Sequence, residues 1–167
     1  MAKKIFNLSA NIDNGIAEGT SYIVTPNVQK VVQEIVDGFQ TGIHSFSIIG
    51  TYGTGKSSFL LHLEKDLLTA TKNKKLLKNT ELLHDGGFEI LNIVGDSKSL
   101  SNLLLGKLQN AVQSEETDVL SLLKAYYAKL KKQNKFLLIV IDEFGKVLEH
   151  AAKHDPEEDL YFFQKFT

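Results

Sequence analysis

Gly50-Thr51-Tyr52-Gly53-Thr54-Gly55-Lys56-Ser57 is the stretch on which the reading of this chain turns. It satisfies the pattern G-x-x-x-x-G-K-[ST] at every fixed position. Glycines let the backbone take positive φ and bring several amide N–H groups close to one anion, and a helix that follows turns its positive end toward the same place. In such a loop Lys56 reaches the β- and γ-phosphates of a nucleotide and the Ser57 hydroxyl ligates Mg²⁺. The flanks have the order this requires. His44 to Ile49 reads as a buried strand, and Ser57 to about Ala70 reads as a helix with Phe59, Leu60, Leu63 and Leu67 on one face.

The 167 residues are enough for one domain with a sizeable core. A hydrophobic fraction of 43% and a formal net charge of −1 describe a soluble globular chain that does not hold nucleic acid by bulk charge. There is no cysteine, which removes disulfides and thiolate metal sites. No apolar run reaches the length of a signal peptide core or a membrane span, so a cytoplasmic protein is expected.

Residues 1–24 are mixed and read as a lead-in segment. Thr25-Pro26 then announces a helix, with Thr25 as N-cap and Pro26 at the first position. Val28, Val31, Val32, Ile35, Val36 and Phe39 follow at helical spacing, and Gly38 and Gly42 mark the end. After the loop and its helix comes the basic run Lys72 to Asn79. It reads as a solvated helix end, and no interleaved aromatic supports a nucleic-acid contact there. His84 to Gly87 is turn chemistry, and Phe88 to Val94 a second strand. Two helices follow, one carrying Leu100, Leu103, Leu104, Leu108 and Val112, the other Val119, Leu122, Leu123, Tyr126, Tyr127 and Leu130, with a polar break at Gln113 to Glu116. The second closes on Lys129, Lys131 and Lys132, which suit the negative end of its dipole.

Phe136 to Ile141 is continuously apolar, the form of a parallel strand covered on both faces, and it ends in Asp142-Glu143. Two adjacent carboxylates at the end of a buried strand are costly without a cation or donors to satisfy them. Val147, Leu148 and Ala151 mark a short helical patch, and Asp155-Pro156-Glu157-Glu158 starts another helix in the manner of a capping box. His150 and His154, four apart, read as solvated helix histidines rather than metal ligands.

Taken together, Gly50 to Ser57 as Walker A and Phe136 to Glu143 as Walker B resemble a P-loop NTPase of the branch with a glutamate beside the Walker B aspartate, which includes AAA+ and STAND ATPases. The resemblance implies an α/β fold, three-layer α/β/α with a mainly parallel sheet, over residues 25–167. It implies ATP and Mg²⁺ as ligands, with Asp142 and Ser57 on the metal and Glu143 polarising the attacking water, assisted by Lys56. Gly50, Thr51, Tyr52, Gly53, Thr54, Gly55, Lys56, Ser57 and Ser58 would line the phosphates, and by position alone Tyr22 and Ile23 would contact the base. No Asn-Lys-x-Asp motif for guanine is present, which favours ATP over GTP.

The resemblance covers nearly all of the chain but only the first part of the family's domain. The strand that follows Walker B in that family, between the two motif-bearing strands, has no counterpart here, nor do the sensor and arginine residues. The sheet is therefore expected to be incomplete, with unpaired strand edges. The resemblance implies an ATPase, a hydrolase acting in a homo-oligomer or larger assembly, of which this chain is the N-terminal part, expected by itself to bind nucleotide weakly and without efficient turnover. The alternatives are a nucleotide-gated switch with little hydrolysis and a P-loop kinase. No membrane partner is implied; a nucleic-acid partner is left open, by way of a local patch, without a motif to support it.

Overall fold

The computed structural model describes residues 12, 15, 22–69, 74–78, 86–154, 161, 162 and 164. The chain divides into two compact units, Met1–Leu83 and His84–Thr167. Among the described residues it is an α/β protein of five helices and a two-stranded parallel sheet. No helix among them is long and apolar enough to cross a membrane.

In the first unit, helix α1 spans Pro26–Gln40. The Thr25 hydroxyl accepts from the Val28 amide at 3.3 Å, and Pro26 needs no acceptor at a position that has none. Val32 and Val36, one turn apart, are its buried residues. At its end the Thr41 hydroxyl donates to the carbonyls of Asp37 and Gly38, and Gly42 turns the chain with φ +92°. Helix α2, Lys56–Leu68, packs Phe59 and Leu63 against Val32 and Val36, with Leu76 and Leu77 completing the cluster. The buried Asp66 carboxylate ties those two leucines to α2 by accepting from their amides at 2.6 and 3.0 Å. Two charge-assisted bonds satisfy a carboxylate that burial alone would penalise.

The stretch between the helices departs from its expected form. Residues 43–51 have no regular secondary structure, and the strand expected over His44 to Ile49 pairs with nothing among the described residues. A strand exists through its ladder, and an unpaired backbone satisfies its N–H and C=O groups in water instead. Burial follows the same logic: Ile43, Phe46 and Ile49 are exposed, and Ile48 alone joins the cluster. Phe46 still lies over Gly38, where an added Cβ would come within 2.8 Å of its ring.

The second unit follows its expected elements closely. Strand β1 (Phe88–Val94) leads to helix α3 (Leu100–Val112), helix α4 (Val119–Lys132), strand β2 (Phe136–Asp142) and helix α5 (Phe144–Lys153). The strands pair in parallel from Phe88 opposite Phe136 to Val94 opposite Asp142. Their two faces differ. Leu91 and Ile93, with Leu137, Ile139 and Ile141, meet Leu104, Leu108 and Leu122 in the core, whereas on the other face Val140 and Asp142 are buried and Ile90 and Leu138 only half so. The both-sided cover expected of β2 is thus partial, because the described helices that join its core cluster serve one face. Ser99 and Asp118 cap α3 and α4, accepting from Asn102 and Ser121.

Glu89, on the core face of β1, receives the Tyr126 hydroxyl at 3.4 Å and the Lys135 ammonium at 3.1 Å. Burial, and then the Glu89 charge, push the Tyr126 hydroxyl above its ordinary value. Stability tied to the neutral phenol is therefore complete below about pH 10 and is lost as pH rises through the raised value. Alkaline unfolding followed by circular dichroism should show this loss in the parent chain and less of it in Tyr126→Phe.

Both ends of the strand pair depend on backbone approaching a glycine. An added Cβ on Gly86 would overlap the Asn134 carbonyl, while Gly106, in α3, faces open space. Gly86→Ala should cost about 2 kcal/mol or more through overpacking against backbone that cannot yield. Gly106→Ala should instead gain up to about 1 kcal/mol from helix propensity. Chemical denaturation of the two variants checks both signs.

Candidate functional site

The loop ahead of α2 has the backbone its glycines were read to provide. Gly53 and Gly55 take φ of +79° and +85°, left-handed values that cost other residues about 1 kcal/mol or more. Gly55 is also the N-cap of α2, so the helix begins directly from the loop. The Lys56 side chain curls back over it, donating to the carbonyls of Gly50 at 2.9 Å and Thr51 at 3.0 Å. Thr54 donates to the same Thr51 carbonyl at 2.8 Å. Gly50 is held close, since an added Cβ would stand 3.1 Å from the Thr54 hydroxyl oxygen. Ser57 and Ser58 are half-buried in the first turn, and Tyr52 stands 94% exposed at the loop.

The helix caps separate this terminus from most of the others. Side chains of Thr25, Ser99 and Asp118 accept from the first turns of α1, α3 and α4. No side chain caps α2 or α5, and neither has an acidic residue in its first turn. These are the two helices that follow the two motifs. The first-turn amides of α2 have no acceptor within the helix, and a dipole end worth about half a charge lies with them, so an anion there meets donors and positive potential together.

In the second unit, Asp142 closes β2 and is only 8% exposed. Its Oδ1 accepts from the Glu143 amide at 2.9 Å, and no donor among the described residues reaches Oδ2. A buried carboxylate with one oxygen held and one available fits a hydrated divalent cation. Glu143 is exposed and takes φ +53°, left-handed for a residue with a Cβ, and its carboxylate pairs with Lys146 one turn on. The Gly95 amide donates to the Asp142 carbonyl at 2.8 Å, and an added Cβ at Gly95 would overlap the Glu143 carbonyl. The sequence reading missed Gly95 and Lys146. Gly95 reads there as an ordinary strand end, and only the register puts it beside Asp142.

Tyr22 stacks on His62 with ring centroids 4.3 Å apart, packs against the α1–α2 cluster, and its hydroxyl is raised by burial. The His62 Nδ1 lies 2.8 Å from the Ser58 carbonyl, which links this stack to the first turn of α2. Ile23 is 74% exposed. His150 and His154 stack on one another at 4.2 Å, and no group of three metal-ligating side chains occurs among the described residues. Of the basic run, residues 74–78 are described, with Lys75 and Lys78 exposed; Lys72 and Asn79 lie outside the described residues, as do Ala70, the turn at His84-Asp85 and the capping box at Asp155 to Glu158.

Comparison with protein-family models, with curated proteins and with solved structures finds no match to this chain.

The left-handed positions at the two motifs should respond oppositely to substitution. Gly55→Ala should lose about 1 kcal/mol or more, whereas Glu143→Gly should gain up to about 1 kcal/mol, because an exposed ion pair is worth less than the strain it accompanies. Urea midpoints of the two variants at constant slope test this; a destabilised Glu143→Gly would mean that the Lys146 pair outweighs the strain.

Proposed function

We propose that this chain is an ATP-binding, Mg²⁺-dependent ATPase module of the three-layer P-loop type, resembling the AAA+ and STAND branch, whose nucleotide cycle drives conformational change in a larger cytoplasmic assembly or homo-oligomer. The observation that carries this reading is the loop Gly50 to Lys56: two left-handed glycines and a lysine folded over the carbonyls, at a helix N-terminus with no side-chain cap. The amides from Gly53 to Ser58 bind phosphate oxygens, and Lys56 exchanges its two carbonyl acceptors for them. Ser57 and Asp142 are each a candidate Mg²⁺ ligand, and the ion would supply neutralisation of charge on the transferred phosphoryl group. Glu143 orients the attacking water, and Gly95 keeps the backbone under it in place. Tyr22 and Ile23 lie at the base.

One observation favours the second reading, a nucleotide-gated switch with little turnover. The Glu143 carboxylate is engaged by Lys146, and a carboxylate held by an ammonium is not free to orient a water.

Thermal melting with Mg-ATP, Mg-GTP and no nucleotide tests the binding step. At saturating Mg-ATP the midpoint should rise by about 5–10 °C, from roughly 2.7 kcal/mol at a hundredfold excess over Kd, with GTP giving less. Lys56→Ala should abolish the rise. Glu143→Gln should keep it while phosphate release falls by about tenfold or more, the ATPase outcome; release equally slow in the parent and Glu143→Gln assigns the switch. A parent chain that Mg-ATP leaves unshifted, as Lys56→Ala does, overturns the proposal.

A further inference from the structure

The outward face of α4 is cationic over most of its length. Lys124, Lys129, Lys131 and Lys132 are all exposed, and the helix contains no acidic residue. Three lysines outside the helix have carboxylate partners: Lys30 pairs with Glu34, Lys135 with Glu89 and Lys146 with Glu143. Lys129, Lys131 and Lys132 form no ion pair among the described residues, and Lys124 feels Asp118 at the far end of the helix. The positions one turn before these three lysines, where glutamates would support a solvated helix, hold Ala125, Tyr127 and Ala128.

The helix dipole accounts for cations in the last turn. It does not account for Lys124 in mid-helix, nor for Tyr127, whose ring is 47% exposed between Lys124 and Lys131 on the same stripe. Residues at i, i+3 and i+7 share a face, and Lys124 and Lys131 stand about 10 Å apart along the axis. Exposed Ala125 and Ala128 beside them leave room for a polymer backbone to approach. A row of ammonium groups with an aromatic between them is the arrangement that tracks a phosphate backbone and stacks an unpaired base. A lipid surface is the weaker match, because the apolar residues with which α4 would enter it, Val119, Leu122, Tyr126 and Leu130, are already spent in the core.

We propose that the Lys124–Tyr127–Lys131 face of α4, with Lys132 beside it, binds single-stranded nucleic acid without sequence preference. Three ammonium groups set the salt dependence: the logarithm of affinity should fall with the logarithm of salt with a slope of about −2. The surface shares no residue with the phosphate loop, so the proposal does not rest on the nucleotide reading.

Fluorescence anisotropy of the full chain with a labelled 20-nucleotide oligo-dT and oligo-rU, without terminal phosphates, from 25 to 150 mM salt, tests this. The expected result is binding of both with that slope. The double variant Lys131→Glu/Lys132→Glu should weaken it by about tenfold or more, and Tyr127→Ala by about fivefold or more, with Tyr127→Phe close to the parent. Lys56→Ala should bind as the parent does. Melting curves of the surface variants without oligonucleotide should match the parent's, since every altered side chain is exposed. Absence of salt-dependent binding, insensitivity to the double reversal, or loss on Lys56→Ala overturns the proposal. So does binding only to vesicles of phosphatidylcholine and phosphatidylserine at four to one.

Discussion

Two parallel strands cannot be joined by a tight turn, and the second unit is arranged around that constraint. Pairing β1 with β2 in the same direction requires the chain to travel back the length of a strand, and α3 and α4 make that return. The helices then have an apolar face to spend, and they spend it on Leu91, Ile93, Ile139 and Ile141. A second consequence follows for chemistry. Parallel strands finish at the same end, so Val94 and Asp142 stand side by side, with Gly95 continuing the ladder by its bond to the Asp142 carbonyl. The carboxyl ends of parallel strands are where α/β proteins place ligands, because loops there are free of the packing that fixes the strands. Asp142 and Glu143 occupy that end, and the contact with Gly95 limits how far their backbone can move.

Local geometry at the two motifs shares a feature that neither sequence pattern states. Each is followed by a helix that starts from a left-handed residue, Gly55 or Glu143, and has no side chain at its first amides. A left-handed start turns the chain sharply, and a side chain folded over the first turn would compete with any incoming anion for the same donors. Other helices of the chain use Thr, Ser or Asp there and gain about 1 kcal/mol each by it. Forgoing that stabilisation at these two places, and adding strain at Glu143, is the pattern of a site shaped by something other than stability.

Much of this was legible in the sequence, for a physical reason. The helices with Thr25-Pro26, Ser99 and Asp118 at their starts, and the strands at Phe88 and Phe136, are encoded by local periodicity and capping, which one chain carries in full. The left-handed glycines of the loop were legible too, since Gly53 and Gly55 stand where only such residues avoid strain. What periodicity cannot report is pairing. Ile48 and Ile49 read as strand because they are β-branched and apolar, yet a ladder is a property of two segments, and here no described segment provides the second. Gly86 and Gly95 were opaque for the same reason: each matters through a backbone from far along the chain, Asn134 in one case and Glu143 in the other.

Lys56, Asp142 and Glu143 are each held by internal partners, and the strength of that hold decides how far each can move. Lys56 donates to two carbonyls, each a charge-assisted bond, yet both acceptors are neutral and exposed, so the ammonium can leave them for a charged acceptor at little cost. Glu143 and Lys146 are exposed neighbours, and such a pair is worth no more than about 1 kcal/mol. It is enough to settle the carboxylate in one orientation and too little to keep it there against a stronger partner. Asp142 differs: buried, with one oxygen fixed by the Glu143 amide, it cannot reorient without breaking the turn that also positions Glu143. In the second unit one carboxylate is therefore fixed while its neighbour can exchange partners, and in the first unit the Lys56 ammonium can leave its carbonyls at little cost.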